Sequence, residues 1–296
     1  MESAMILRGM LFAVSALPLA ATPAGAADAA AVEIWALDGF STPESVAHDA
    51  ECGVLYVSNI AGEPLDKNGA GHISRVSPGG EMLEAEWITG LDAPKGLALD
   101  GATLYVTDID RLVAIDVEAG EIAGSWDAPG AVFLNDPAVD SDGRVFVSDM
   151  VANTIWRLDG DDLAIWLDDA ALAHPNGLKV EDGSLIVASW GEEMQEDFST
   201  LVPGHLLAID IATGTIAPLG SGEPGGNLDG IEPDGEGGWL VTDWIAGRLL
   251  RIAADGSFEP LADLGMGSAD LGYLAEERIA IVPMMLDGRI VALSIE

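Results

Sequence analysis

The sequence predicts an all-β fold: a six-bladed β-propeller of four-stranded antiparallel blades, closed by the N-terminal strand. Three observations lead there. A short segment recurs as Pro43-Glu44-Ser45-Val46, Pro94-Lys95-Gly96-Leu97, Asn135-Asp136-Pro137-Ala138, Pro175-Asn176-Gly177-Leu178, Leu228-Asp229-Gly230-Ile231 and Ala269-Asp270-Leu271-Gly272. The second residues of these copies are spaced by 51, 41, 40, 53 and 41 positions, a period that marks propellers and solenoids. Helix signals are nearly absent, and the apolar runs are short, rich in Val, Ile, Leu and aromatics, and bounded by turn dipeptides.

The elements follow in chain order. Arg8 precedes an almost wholly apolar run from Met10 to Ala20, and Ala24-Gly25-Ala26 fits a small-residue cleavage site. Residues 1–26 therefore read as a signal peptide and 27–296 as a single propeller domain, in the periplasm or secreted. The apolar run is too short to span a bilayer, so no stable membrane association is expected. Val32–Leu37 has the pattern of an outer strand. The second repeat resolves into strands Gly96–Leu99, Thr103–Thr107, Leu112–Asp116 and Ile122–Trp126. The third gives Ala138–Asp140, Val145–Ser148, Thr154–Leu158 and Leu163–Leu167. Asp100-Gly101, Asp142-Gly143, Asp182-Gly183 and Asp234-Gly235 supply the positive φ that tight hairpin turns need. Trp35, Trp87, Trp126 and Trp166 each precede the next repeat by a few residues and read as packing between blades. The last repeat supplies Leu271–Leu274, Arg278–Val282 and Arg289–Ser294 and stops one strand short. Val32–Leu37 completes it, closing the ring and removing an unpaired edge.

Twelve Lys plus Arg against 50 Asp plus Glu give a net charge of −38. Such a surface repels nucleic acid and anionic lipid and leaves a small molecule as the expected partner. Oligomeric state has no signature. Cys52 is the only cysteine, so no intramolecular disulfide forms. It reads as a half-buried turn residue, with no base near it in sequence to make it a nucleophile.

Alternating strand direction places the start of each innermost strand and the end of the second strand at one face. Glu44, Asn135, Asn176 and Asp229 would then meet on the axis, where they could hold one cation. Carboxylates and amide oxygens, with no His or Cys among them, suit calcium or magnesium over zinc, with manganese the further divalent alternative. Without a cation, Glu44 and Asp229 are like charges at close quarters and one should take up a proton. Two long connections, Asn59–His72 and Trp190–His205, would hang over the same mouth. A second column, Asn59, Asp108, Asp149, Trp190, Asp243 and Met284, falls at second-strand ends. Its aspartates read first as turn caps; Asp149 and Trp190 are the candidates for substrate contact.

Pro43-Glu44, Leu134-Asn135-Asp136 with Val139-Asp140 and Gly143, Pro175-Asn176-Gly177-Leu178 and Asp229-Gly230-Ile231 resemble the SMP-30/gluconolactonase/luciferin-regenerating-enzyme family, itself similar to the paraoxonases and squid-type diisopropylfluorophosphatases. The resemblance covers residues 32–296. It implies a calcium or other divalent ion held by Glu44, Asn176 and Asp229, with Asn135 either holding it or touching substrate. The implied reaction is hydrolysis of a lactone, ester or phosphotriester, in which the metal polarises the reacting oxygen and Asp229 is base or nucleophile.

Two positions depart from that pattern. Lys95 stands where paraoxonase-like members carry a histidine; it is either a neutral base or an ion-pair partner of Glu44, Asp136 or Asp270. Asp270 either adds a carboxylate to the substrate pocket or pairs with Lys95. His174, beside Asn176, could lie near the cation, whereas His48, His72 and His205 read as loop or strand-edge residues. Two other functions share the scaffold: a non-catalytic NHL-type ligand- or protein-binding propeller with a structural metal, and a strictosidine-synthase-like enzyme.

Overall fold

A computed structural model describes residues 31–195 and 197–295; the expected export signal lies outside the described residues. Among the described residues no helix is long and apolar enough to cross a membrane.

Six four-stranded antiparallel sheets form the blades of a propeller. Their innermost strands are Pro43–Asp49, Pro94–Asp100, Leu134–Val139, Pro175–Glu181, Leu228–Pro233 and Gly272–Leu274, for blades 1 to 6. The outermost strand of blade 6 is Ala31–Asp38, paired antiparallel with the C-terminal Arg289–Ile295, so the chain ends close on each other as the sequence predicts. Blades 1 and 6 also join at the axis: Asp270 N–H donates to Glu44 O at 2.9 Å and Val46 N–H to Asp270 O at 3.3 Å.

Each junction between neighbouring blades buries its own apolar cluster, and together the six clusters run right round the ring. The four outer-strand tryptophans belong to these seams. Trp87 stacks on Tyr56 at 5.0 Å and Trp166 meets Phe146 edge-on at 4.9 Å, geometries that add to simple area burial. Trp35 and Trp126 pack in the seams between blades 6 and 1 and between blades 2 and 3.

The third blade's innermost strand starts at Leu134, four residues earlier than predicted, and runs through Pro137. A proline is tolerated there because an innermost strand is hydrogen-bonded within its sheet on one side only. Cys52 is exposed instead of half-buried, at a turn tied by its N–H to Asp49 Oδ1 at 2.8 Å.

Candidate active site

The innermost strands carry a β-bulge at one common place. Pairing steps from Pro43–Asn59 to Val46–Val57 in blade 1, and the same three-against-two step recurs in blades 2 to 5. The residues inside the bulge are Glu44-Ser45, Lys95-Gly96, Asn135-Asp136, Asn176-Gly177 and Asp229-Gly230. A bulge re-aims a side chain out of the regular alternation, and here it creates two adjacent columns. The first holds Glu44, Lys95, Asn135, Asn176 and Asp229. The second holds Ser45, Gly96, Asp136, Gly177 and Gly230. Ser268 bridges Met284, the end of blade 6's second strand, which puts Ala269 in the first column and Asp270 in the second.

Second-strand hydroxyls fix this ring. Ser148 Oγ accepts from Asp136 N–H at 2.9 Å and donates to Asn176 O of the next blade at 2.7 Å. Thr242 repeats the pattern with Gly230 N–H and Ala269 O, at 2.9 and 3.0 Å. Thr107 donates to Asn135 O. The repeated Val-Ser/Thr-Asp triplet is thus a blade-to-blade strap that holds the backbone of the first column. Small neighbours let it close: a Cβ on Gly177 would collide with Asp229 O, and one on Gly96 with Asp136 Oδ1.

The first column forms the floor of a chamber of about 180 Å³, open at the face of the long connections. Glu44, Lys95, Asn135, Asn176 and Asp229 all line it. Glu44, Asn176 and Asp229 each retain a buried oxygen with no hydrogen-bond partner. Burial, and then the charges of Asp229 and Asp270, push Glu44 well above the usual carboxylate range against the opposing charge of Lys95. Asp229 is raised too, by burial and then by Asp270 and Asp243. Desolvation exceeds like-charge repulsion in both. Two carboxylates and the Asn176 amide, each with an orphaned oxygen, and the Asn135 amide beside them fit a hard divalent cation: the ion would satisfy the oxygens and balance the two charges. Among the described residues no three His, Cys, Asp or Glu side chains converge in metal-holding geometry. Such a site must therefore include the amides of Asn135 and Asn176.

Lys95 is 1 % exposed. It donates to Pro64 O at 2.9 Å and Ala93 O at 3.1 Å and lies over the Phe133 ring at 4.5 Å. Among the described residues no carboxylate stands within 4.0 Å of its ammonium. The expected ion pair with Glu44, Asp136 or Asp270 is absent, because backbone carbonyls take its protons. Burial lowers it to about 8, against the field of Glu44, Asp108 and Asp149.

Two expected substrate contacts move elsewhere. Asp149 is fully buried and does not line the chamber; its carboxylate accepts from the N–H groups of Val132, Phe133 and Ala152 at 2.7, 3.0 and 2.9 Å. Asp108 and Asp243 do the same work, tying the approach to the innermost strand of their own blade. Asp270 lines a separate cavity of about 260 Å³ at the far side of the floor, with Asp136, Lys179 and Glu232. It hydrogen-bonds Ser45 Oγ, and Lys179 pairs with Glu232 at 2.7 Å. Burial raises Asp270 to about 7 despite the Ser45 bond.

Trp190 lines the chamber, but not as a member of the second-strand column. Pro175 pairs with Ser189, so Ser189 is the column residue in blade 4. Trp190 belongs one position further, with Ile60, Met150, Trp244 and Met285, which line the chamber as an apolar ring. Phe133 and Phe198 complete the wall. Sequence reasoning missed every member except Trp190; the signal was an apolar residue directly after each column position. His174 binds Met150 O through Nδ1 at 2.8 Å and does not line the chamber. Both long connections contribute as expected, through Pro64 and through Phe198.

No family model matches this chain, and no curated protein does. Solved structures do. A gluconolactonase from Xanthomonas campestris superposes with TM-score 0.63 at 17% identity, covering 90% of this chain and 89% of that one. A streptogramin B lyase gives TM-score 0.61 at 15% identity, over 90% and 97%. A chain of a nidogen/laminin complex gives 0.56 at 20%, over 75% and 80%. At such identities the likeness speaks for the propeller fold alone.

Proposed function

We propose that the chain is an exported, divalent-cation-dependent hydrolase of small lactones or esters. The observation that carries this reading is the set of partnerless buried oxygens on Glu44, Asn176 and Asp229, at the floor of a chamber of small-molecule size. Glu44, Asn135, Asn176 and Asp229 would hold a calcium-type ion. When bound, the ion supplies Lewis-acid polarisation of the substrate's acyl oxygen.

The chain's own residues do the rest. Asp229, ionised beside the cation, removes the proton of the attacking water. Water oxygen bonds to the acyl carbon, the acyl C–O bond breaks, and the departing alkoxide takes up a proton to give a hydroxy acid. Lys95, spent on two carbonyls, fixes the Pro64 connection at the chamber wall and holds Phe133 in place. The aromatic wall excludes bulk water, which strengthens every charge interaction at the floor.

The test is turnover of a lactone and ester panel by chelator-stripped protein, with and without calcium, and mass analysis of the product. The expected result is calcium-restored formation of the hydroxy acid, one water heavier than its lactone. An isomeric elimination product, or turnover indifferent to calcium, would replace this reading with a lyase or a metal-free one. No turnover on any substrate would leave a binding propeller.

A further inference from the structure

The wall above the floor has a different chemistry from the floor itself, and it bears on what the hydrolase reading acts upon. Five of the six residues that follow the second-strand column line the chamber, and all five are large and apolar: Ile60, Met150, Trp190, Trp244 and Met285. Trp190 and Trp244 lie 6.1 Å apart and Phe133 and Phe198 6.0 Å apart, as tilted pairs. The polar groups on this wall are few. Asp197, at its exposed mouth, accepts from Ser199 N–H and Oγ through Oδ1 at 3.1 and 2.6 Å. Trp190 Nε1 donates to Phe198 O at 2.7 Å, and Lys95 is tied to carbonyls as described. Asn227 secures the strap from outside through Trp190 O and Thr200 Oγ1, at 2.9 and 2.8 Å.

The surface continues the theme. Exposed large apolar side chains outside the outer strands are Leu65, Val132, Phe198, Leu201, Met266 and Leu286, with Val202 beside them. All sit in connections at the chamber's face. The connections at the opposite face carry none among the described residues. On a chain with net charge −38, an apolar rim confined to one mouth marks the approach of a poorly soluble ligand.

We propose that the chamber selects uncharged, alkyl- or aryl-substituted lactones or esters over polyhydroxylated or ionised ones, with Trp190, Trp244, Phe133, Phe198 and Met285 as the specificity-determining residues. The inference rests on the hydrolase reading for the reacting bond but on the wall alone for the preference. A buried methylene tightens binding by about fourfold. A hydroxyl carried against the apolar residues of this wall, below Asp197, loses water and finds no free partner, a penalty of about tenfold or more. A sugar lactone with several hydroxyls is therefore disfavoured, and an anion is repelled as well.

Two non-hydrolysable probes separate preference from chemistry: a pentyl-substituted six-membered lactam and the lactam of gluconic acid. Each is titrated into calcium-loaded protein and followed by tryptophan fluorescence, while kcat/KM is measured on the corresponding lactones. The pentyl lactam should bind at least tenfold tighter than the sugar lactam. Phe198→Ser and Met285→Gln should each weaken it about five- to tenfold, with the melting temperature of the Phe198 variant unchanged. Equal or tighter binding of the sugar lactam, or indifference to both substitutions, overturns the proposal. If the alkyl preference appears in binding but neither lactone turns over, the hydrolase reading falls and the preference stands. If both lactones turn over with equal kcat/KM, the preference falls and the hydrolase reading stands.

Discussion

The two ends of the propeller axis are built from the same six strands, one or two residues apart, yet they differ in almost every respect. Above the bulge, the first column gives carboxylates and amides under an aromatic wall. Below it, the second column and the strand residues that follow give Asp136, Asp270, Lys179 and Glu232 around a polar cavity. The upper oxygens of Glu44, Asn176 and Asp229 lack protein partners. Below, one orphan remains, Asp136 Oδ1, but the other groups are matched: Asp136 Oδ2 accepts from Leu178 N–H at 2.6 Å, Asp270 meets Ser45, and Lys179 meets Glu232. The difference shows how one inserted residue per strand can separate a ring that binds from a ring that braces. Stability is served where polar groups satisfy one another, and chemistry where they do not.

The sharpest way to break this contrast is a pair of matched substitutions. Asp229→Asn should lower kcat/KM for calcium-dependent hydrolysis by about 10²–10⁴-fold, whereas Asp270→Asn, on the far side of the floor, should stay within about threefold of the parent. Similar losses from both would mean that the floor does not divide the two functions.

The pH dependence of stability is the next largest effect. Asp270 titrates at about 7 in the folded chain and near 4 unfolded. The folded state therefore keeps a proton that the unfolded state has already lost. Its contribution is fully present below pH ~4 and is lost as pH rises through about 7. In metal-free protein, Asp270→Asn should flatten that decline and raise stability above pH 7 by up to about 4 kcal/mol. Denaturant melts of both proteins at pH 5 and 8 measure it; a parent and variant with the same slope would remove Asp270 from the account.

Asp149→Ala should cost about 1–3 kcal/mol, since the buried N–H of Phe133 and the half-buried ones of Val132 and Ala152 lose their acceptor, without a selective change in KM. A selective rise in KM at unchanged melting temperature would return Asp149 to the substrate site. The smallest effect concerns Lys95→Met. Its ammonium serves carbonyls, so the variant should keep the shape of the rate–pH profile while kcat falls by less than about tenfold. Loss of a limb near pH 8 would instead make Lys95 the base.

Much of this was legible in the sequence, and the exceptions share a cause. The repeat, the closing strand and Glu44, Asn176 and Asp229 followed from spacing because each leaves a side-chain signature at a fixed interval. A one-residue ambiguity did not resolve that way. Counting second residues puts Asp136 beside Asn176 and Asp229, whereas the bulge register puts Asn135 there and Asp136 below. The same slip placed Trp190 in the aspartate column and Asp270 in the substrate pocket. The ion pair expected of Lys95 fails for another reason: its acceptors are the carbonyls of Pro64 and Ala93, which any residue could supply. The apolar wall was invisible because Met150 or Trp244 looks like core until the register shows it facing the axis.

The central claim is that the first column holds one divalent cation and the second column does not. Calorimetric calcium titration of chelator-stripped protein in moderate salt, which suppresses loose binding to the acidic surface, tests it most directly. One tight site should appear in the parent and in Asp270→Asn and vanish in Asn176→Ala. A tight site that survives Asn176→Ala, or none in the parent, would contradict it.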